Sequence, residues 1–596
     1  MNQTFTTRPE LRGTFGAVTS THWIGSAVGM GLLERGGNAF DAAVATGFTL
    51  QIVEPHLNGP GGEVPIILQA AGSDAPVVIC GQGTAPKAAT ISAYRDCGLT
   101  MVPGTGLLAA VVPGAFDAWM LMLRDYGSMR LRDVLEPAIS YAINGFPIVY
   151  RAARAIHAIA DHFKAEWPSS AAVWLPGGHA PNSNQLVTTP AIGHTFQRIL
   201  DQAESFGSDR VSQIEEARKC FYEGFVAEAV DRFCRKEFAD GSGSRNSGLL
   251  TGDDMASWNA TYETTVSREY HGYQVHKTGP WGQGPVLLQA LALLDGIDLA
   301  SMDPHGGDFV HTIIETIKLA WIDRDVFYGD PEFVDIPLET LLSEAHNESR
   351  RKLITETASN EFRPSLIDEV RYRLETLTRL SDNNIAAGIG GGEPTFADIP
   401  EVEGDTVHLD VVDRSGNMVT ATPSGGWLQS SPVIAELGFN LSTRAQMFWL
   451  DENLPSSLAP GRRPRTTLTP TLVTREGAPY IALGSPGGDQ QDQWSLILLL
   501  RLIHHTKNLQ AAIDAPMFHS KHVIASFNPR QYEQAVMLLE GRFDKSVQKE
   551  LSKRGHQLRV EGDWSLGRLC AVSRGQNGVI RAGATPRFMQ GYAIGR

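Results

Sequence analysis

The feature that most constrains this chain is a change of character at residue 406. From Asp382 to Asp405 the sequence DNNIAAGIGGGEPTFADIPEVEGD is Gly-rich and acidic, carries Pro394 and Pro400, and has neither helical nor strand periodicity, so it predicts a long flexible segment. The residues that follow, TVHLDVVDRSGNMVTATPS, alternate apolar and polar on both sides of Asp-Arg-Ser-Gly-Asn, the pattern of a β-hairpin. Thr406 therefore stands where an unanchored segment meets the head of a strand. One reading is plain, since threonine is a good strand former. The other is chemical. Scission before Thr406 would free an α-amine with a pKa of roughly 7.7–8.0 beside the hydroxyl, so that one residue supplies base and nucleophile together. The same hydroxyl, attacking the Asp405 carbonyl in an N-to-O acyl shift, would make the cut itself.

The rest of the pattern mixes helices and strands. SAVGMGLLERGGNAFDAAVATGFTLQIVEP reads as two helices, the first stopped at Gly36-Gly37 and the second capped by Asn38 with Asp41 in its first turn. HLNGPGGEVPIIL reads as a Gly/Pro loop entering a strand, 113–159 and 311–327 as helical, and GSGSRNSG at 241–248 as a polar break. PTLVTREGAPYIALGSPGGDQQDQWSLILLLRLI reads as strand, turn, strand, Gly-rich turn and a helix from about Gln490, so the architecture is α/β or α+β.

Two further motifs carry chemistry of their own. Gly484-Ser485-Pro486-Gly487-Gly488 is either a tight strand-to-helix turn or a set of exposed N–H groups for an oxyanion; Asp489 and Gln490 stand where a P-loop needs Lys and Ser/Thr. Gly461-Arg462-Arg463-Pro464-Arg465-Thr466-Thr467 is either a solvated basic loop or a grip on an acidic substrate group.

Charge narrows the partners. With 51 Lys+Arg against 66 Asp+Glu the net charge is −15, and no basic run offsets it, which disfavours nucleic acid and anionic membranes. The first residues lack a signal peptide's basic and apolar regions, and no stretch approaches the ~18 apolar residues of a membrane span. Five cysteines form no CxxC pair, so a reducing, cytoplasmic location is expected. No histidine has metal-site spacing, and neither GxSxG nor a strand-borne GxGxxG occurs. No metal or cofactor is expected; the partner is a small molecule.

Long motifs in order then bring in a resemblance: GGNAFDAAVATGFTLQIVEPH with NGPGG, VPGAFDAW, KLAWIDRDVFYGDPEFVD, GDTVHLDVVDRSGNMV, LAPGRRPRTTLTPTLV and LGSPGGDQQ. Through these the sequence resembles the γ-glutamyltranspeptidase family of N-terminal nucleophile hydrolases over nearly its whole length. The resemblance implies an α+β fold with a four-layer αββα core, made as a proenzyme cut between Asp405 and Thr406. Residues 1–405 would be the large (α) subunit and 406–596 the small (β) subunit, which stay associated as one intertwined catalytic domain; dimerisation of such units is left open. Thr406 matches the family nucleophile, and Gly487 and Gly488 match the pair whose amides form the oxyanion hole. Ser424 falls at a second threonine that bonds the nucleophile, and Thr466 and Thr467 replace two pocket serines.

Departures from the family pattern concern the substrate. The arginine that grips the γ-glutamyl carboxylate falls on Ile91, an asparagine two residues after the second threonine becomes Gly426, and Met447 stands where an amine-binding aspartate belongs. A thioether cannot pair an ammonium. Similar motifs, TATPSGGWLQSSP and GSPGGDQQDQW, are found in the subgroup that includes oxamate amidohydrolase-type enzymes. The implied activity is a self-processing amidohydrolase of a small carboxylate-bearing amide, with Arg444, alone or with Arg463 and Arg465, replacing the missing arginine. A γ-glutamyltransferase, a glutaryl- or cephalosporin-type acylase, and a non-catalytic scaffold are the alternatives.

Overall fold

A computed structural model of the chain describes residues 5–386, 406–506 and 508–596. Asp405 and most of the segment expected to be flexible lie outside the described residues. The start of that segment is corrected: Asp382 belongs to the helix Ile367–Ala386. Val370, Leu374, Leu377 and Leu380 recur at helical spacing there, and no Gly or Pro intervenes before Gly388.

Two antiparallel sheets of seven strands form the centre. The first runs Tyr592–Gly595, Gly16–Ser20, Leu409–Asp413, Met418–Ala421, Val64–Gln69, Val77–Gly81, Thr261–Thr264. The second runs Leu11–Gly13, Ile580–Ala584, Cys570–Arg574, Ala478–Gly484, Thr471–Arg475, Tyr273–Lys277, Val266–Tyr270. Side-chain alternation divides each central strand between two apolar environments. Ala17, Val412 and Met418 of the first sheet meet Leu472, Ala482 and Val572 of the second in the layer between them. The neighbouring Val18, Val411 and Val419 point the other way, into a core shared with helices Trp23–Glu34, Ala39–Val53 and Ala115–Tyr126. Val473, Ile481 and Leu483 face helices Pro285–Leu294, Gly307–Phe327 and Gln491–His504. Each of the Val, Leu, Ile and Met side chains among these contributes about 1.5–3 kcal/mol when fully buried. The result is the four-layer αββα arrangement.

Local signals act as expected around the first core. Asn38 caps Ala39–Val53: its Oδ1 accepts the N–H groups of Phe40 (2.9 Å) and Asp41 (3.1 Å), while Asp41 accepts the Asn38 N–H at 2.9 Å. The hairpin at Leu409–Asp413 and Met418–Ala421 and the strand–turn–helix from Thr471 onward also form as read. The helical stretch at 113–159 is interrupted by a short strand, Phe146–Pro147, and the polar break near 241–248 holds a two-residue pairing of Phe238–Ala239 with Arg245–Asn246. Among the described residues no helix is long and apolar enough to cross a membrane, and the cysteines are free thiols.

Candidate active site

Thr406 sits just before the strand Leu409–Asp413, bridged to Ser424 across the hairpin, with the Val407 N–H donating to the Pro423 carbonyl at 3.0 Å. The bridge brings the two hydroxyls to 3.3 Å, both almost fully buried. Ser424 is itself exchanged with Glu63 through two backbone hydrogen bonds, 2.9 and 3.0 Å. The hydroxyl pair is therefore held by backbone on both sides.

His408, just before the same strand, explains how the sheet beside Thr406 meets the other one. Its Nε2 donates to Asp410 (2.9 Å), leaving Nδ1 to accept the Thr422 hydroxyl at 3.0 Å. The imidazole lies against Gly484, where an added Cβ would come within 2.2 Å of the ring. Only glycine at 484 permits that approach, and Gly484 ends the strand that leads into Gly487 and Gly488.

The turn beyond has unusual backbone. Gly487 lies at φ +135° and Gly488 at φ +54°, in the region that favours glycine. The Pro486 carbonyl accepts the Ser485 hydroxyl (2.7 Å) and the Gly487 carbonyl accepts the Gln490 N–H (3.0 Å). Because a peptide unit is planar, fixing these two carbonyls aims the Gly487 and Gly488 N–H groups in the opposite direction. With its nitrogen donating to the Thr467 carbonyl (3.1 Å), the Gln491 amide oxygen lies 3.3 Å from the Gly488 nitrogen, a long contact that a ligand oxygen can displace. The Thr467 hydroxyl is buried with no hydrogen-bond partner among the described residues, while Thr466 is tied by its backbone to Trp281.

The arginines are engaged by acids of the same chain. Arg444 pairs with Glu63 (Nε to Oε1, 2.5 Å), both side chains fully buried, and its guanidinium lies over the rings of Trp427 and Phe527 at 5.3 and 5.9 Å. Burial pushes the Glu63 carboxyl above its usual range, against the pull of Arg444 and the Ser442 hydroxyl. Arg463 pairs with Asp330 (2.7 Å) and Glu263 (2.5 Å). Arg465 meets Asp325 at 3.3 Å and the Ser526 hydroxyl at 2.8 Å. The positive charge expected for a substrate carboxylate is thus matched internally in each case, by acids that sequence reading missed. Glu63 stands 381 residues from Arg444, and no spacing rule reaches that far. Sequence spacing also missed a cluster of His311, Glu315 and His556. There Glu315 is held by Lys318 (2.6 Å) and Arg363 (3.1 Å), and His311 Nδ1 faces His556 Nε2 at 2.8 Å.

Residues 25–595 match the family model described as gamma-glutamyltranspeptidase. The chain belongs to the γ-glutamyltranspeptidase family. It is 30% identical over 588 residues to the glutathione hydrolase-like YwrD proenzyme of Bacillus subtilis (strain 168), covering 98% of this chain and 99% of that one. Among solved structures, LmbA2991T421A is 48% identical with a TM-score of 0.92, both chains covered completely. The cephalosporin acylase from Bacillus halodurans is 26% identical with a TM-score of 0.81, covering 100% of this chain and 98% of that one. The fold is that of the N-terminal nucleophile hydrolases.

Where this γ-glutamyltranspeptidase-family chain departs from the expected pattern, packing accounts for the change. Ile91 is buried in an apolar cluster with Ala445, inside the Arg444–Met447 turn, and with Phe448 and Leu450 just after it. Met447 takes a contact from Arg444 Nη1 at 3.6 Å. At Gly426, φ is +64°, and an added Cβ would meet Gly62, Asn440 and Gly61 backbone atoms at 3.0–3.1 Å. The rebuilt wall is a matter of backbone as well as side chains.

Proposed function

We propose that this protein is a self-processing amidohydrolase that cleaves itself before Thr406 and then uses Thr406 on a small amide. The observation that carries this reading is the buried Thr406–Ser424 hydroxyl pair, 3.3 Å apart, joined through His408 and Gly484 to the strand that leads into Gly487-Gly488. The freed α-amine takes the hydroxyl proton as Oγ1 attacks the amide carbon. The Gly487 and Gly488 amides receive the oxyanion, the amine returns the proton to the leaving nitrogen, and water hydrolyses the ester that remains. The proenzyme names of the family's relatives support the self-processing half of this reading.

For the substrate we assign a short carboxylate-bearing amide such as oxamate, with Arg444 as the carboxylate's partner, the substrate oxygens sharing the guanidinium with Glu63. Arg444 is favoured over Arg463 and Arg465 because it lies on the wall next to Glu63, which the backbone joins to Ser424. Gly426, Met447 and Ile91 remove the polar groups expected to hold a glutamyl head. The likeness to a cephalosporin acylase supports a second reading, an acylase of glutaryl-type amides.

Intact mass and N-terminal sequencing, beside Thr406→Ala, test the first half. A fragment beginning Thr-Val-His-Leu-Asp, lost in the variant, is the expected result; an uncut wild-type chain would return the protein to the scaffold reading. Ammonia release from oxamate, compared with cleavage of a glutaryl and a γ-glutamyl anilide, tests the second. Arg444→Ala is expected to reduce kcat/KM for oxamate at least 10-fold, the scale of one lost charge-assisted pair, and an unchanged value refutes that role.

A further inference from the structure

The glycine turn is braced by a buried ionic cluster that no step of amide cleavage uses. Asp489 follows Gly488 directly and is 5% exposed. Its carboxylate accepts the Ser526 N–H (2.9 Å), the Ser526 hydroxyl (2.5 Å) and an N–H of Arg324. The same Arg324 nitrogen donates to Gln283 Oε1 at 2.9 Å, and Gln283 Nε2 in turn donates to the Gly488 carbonyl at 3.3 Å. Trp321 Nε1 donates to the Asp489 carbonyl at 3.2 Å. The Gly488 carbonyl, through Gln283, and the Asp489 carboxylate, directly, are thus both connected to Arg324.

The cluster extends to the other walls. Arg465 reaches Ser526 at 2.8 Å from the segment that carries Thr466 and Thr467. Arg530 donates to the Ser526 carbonyl and, at 2.7 Å, to the Gln446 carbonyl in the Arg444–Met447 turn. Burial works to raise the Asp489 carboxyl, but Arg324 and Arg465, with Ser526, hold it below its ordinary value. Glycine has the least intrinsic resistance to rotation, so the direction of the Gly487 and Gly488 amides depends on what holds the turn from outside.

We propose that Asp489 is a positioning residue that aims the Gly487 and Gly488 amides at the reacting carbonyl, through Arg324 and Ser526. On this view Arg465 belongs to the brace and not to the substrate grip. The inference rests on the reading of Thr406 as nucleophile and of the two amides as its oxyanion hole.

The test uses the self-cleaved full chain with p-nitrophenyl acetate as the acylating probe, counting only turnover that Thr406→Ala removes. Asp489→Asn keeps an acceptor for Ser526 but loses the charge facing Arg324. It is expected to lower kcat about 30-fold with KM within twofold, less than the ~100- to 1,000-fold of losing an oxyanion donor outright. Ser526→Ala is expected to lower kcat about fivefold, the scale of one modest hydrogen bond, and Ser526→Thr, which keeps the hydroxyl, to restore it. If Asp489→Asn does not fold, the two Ser526 variants decide alone, and equal kcat in both overturns the brace. A wild-type kcat in Asp489→Asn, or a change confined to KM, overturns it as well. Turnover that survives in Thr406→Ala would instead overturn the nucleophile assignment, and this inference with it.

Discussion

Single glycines decide more of this site than single charges do. At Gly426 a left-handed backbone and three backbone atoms at 3.0–3.1 Å crowd any side chain, so Gly426→Asn is expected to destabilise the protein by about 1–3 kcal/mol without restoring γ-glutamyl hydrolysis. Chemical denaturation and assay with a γ-glutamyl anilide check both halves; recovered glutamyl activity would mean that side-chain chemistry alone redirected the pocket. The two turn glycines differ in the same terms. An added Cβ at Gly487 would lie 2.4 Å from the Trp494 ring, whereas one at Gly488 would lie 3.3 Å from Phe527. Gly487→Ala is therefore expected to cut turnover at least 100-fold, in the range of losing an oxyanion donor, and Gly488→Ala by much less. Steady-state rates of the two variants, at matched self-cleavage, decide it. Thr406, Gly487 and Gly488 could be singled out as candidates from the sequence because each lies inside a contiguous motif with its own turn or strand signal, whereas Ser424 entered only through the family resemblance. Glu63 and Asp489 could not be, because their meaning depends on partners that only the folded chain brings near.

The helix Ala39–Val53 shows the same division at the scale of an element. Its start was readable from Asn38 and Asp41, a local capping pair. That Asp41 also accepts the Ser128 N–H (2.9 Å), the Ser128 hydroxyl (2.7 Å) and the Met129 N–H (3.0 Å) was not, since nothing local announces a second segment. Glu54, just past the other end, is buried between the Thr21 hydroxyl (2.5 Å) and the Gln590 amide (3.0 Å). Burial raises its carboxyl from 4.5 to about 7, against the opposing pull of Thr21, Arg568 and Arg151. The folded state then holds this proton more tightly than the unfolded chain does. The stabilisation it supplies is complete below about pH 4.5 and is lost as pH rises through about 7. At 1.36 kcal/mol per unit this amounts to about 3 kcal/mol. Glu54→Gln is expected to flatten that part of the stability profile, and urea midpoints at pH 5 and pH 8 for both proteins check it. Parallel profiles would mean that Glu54 is ionised in the folded state throughout.

Taken as a whole, the stretches before and after Thr406 are separate in sequence but not in space. Among the described residues, strands after Thr406 pair with strands before it at Gly16–Ser20 from both sides, at Val64–Gln69, at Leu11–Gly13 and at Tyr273–Lys277. Both sheets, and the apolar layer between them, are thus built from the two halves together. Scission before Thr406 removes one covalent bond and none of these pairings, so the fragments are expected to co-elute at the mass of the uncut chain. What changes is the unfolded state. A cut chain unfolds into two molecules, so its stability is linked to concentration, whereas the uncut chain unfolds into one. Raising the protein concentration 100-fold is therefore expected to stabilise the cleaved protein by about 2.7 kcal/mol through mass action, and to leave Thr406→Ala unmoved. Denaturant midpoints at two concentrations measure both. If the small fragment separates in native buffer, or if the cleaved protein's midpoint ignores concentration, the halves are not the mutually dependent pair that the strand order implies.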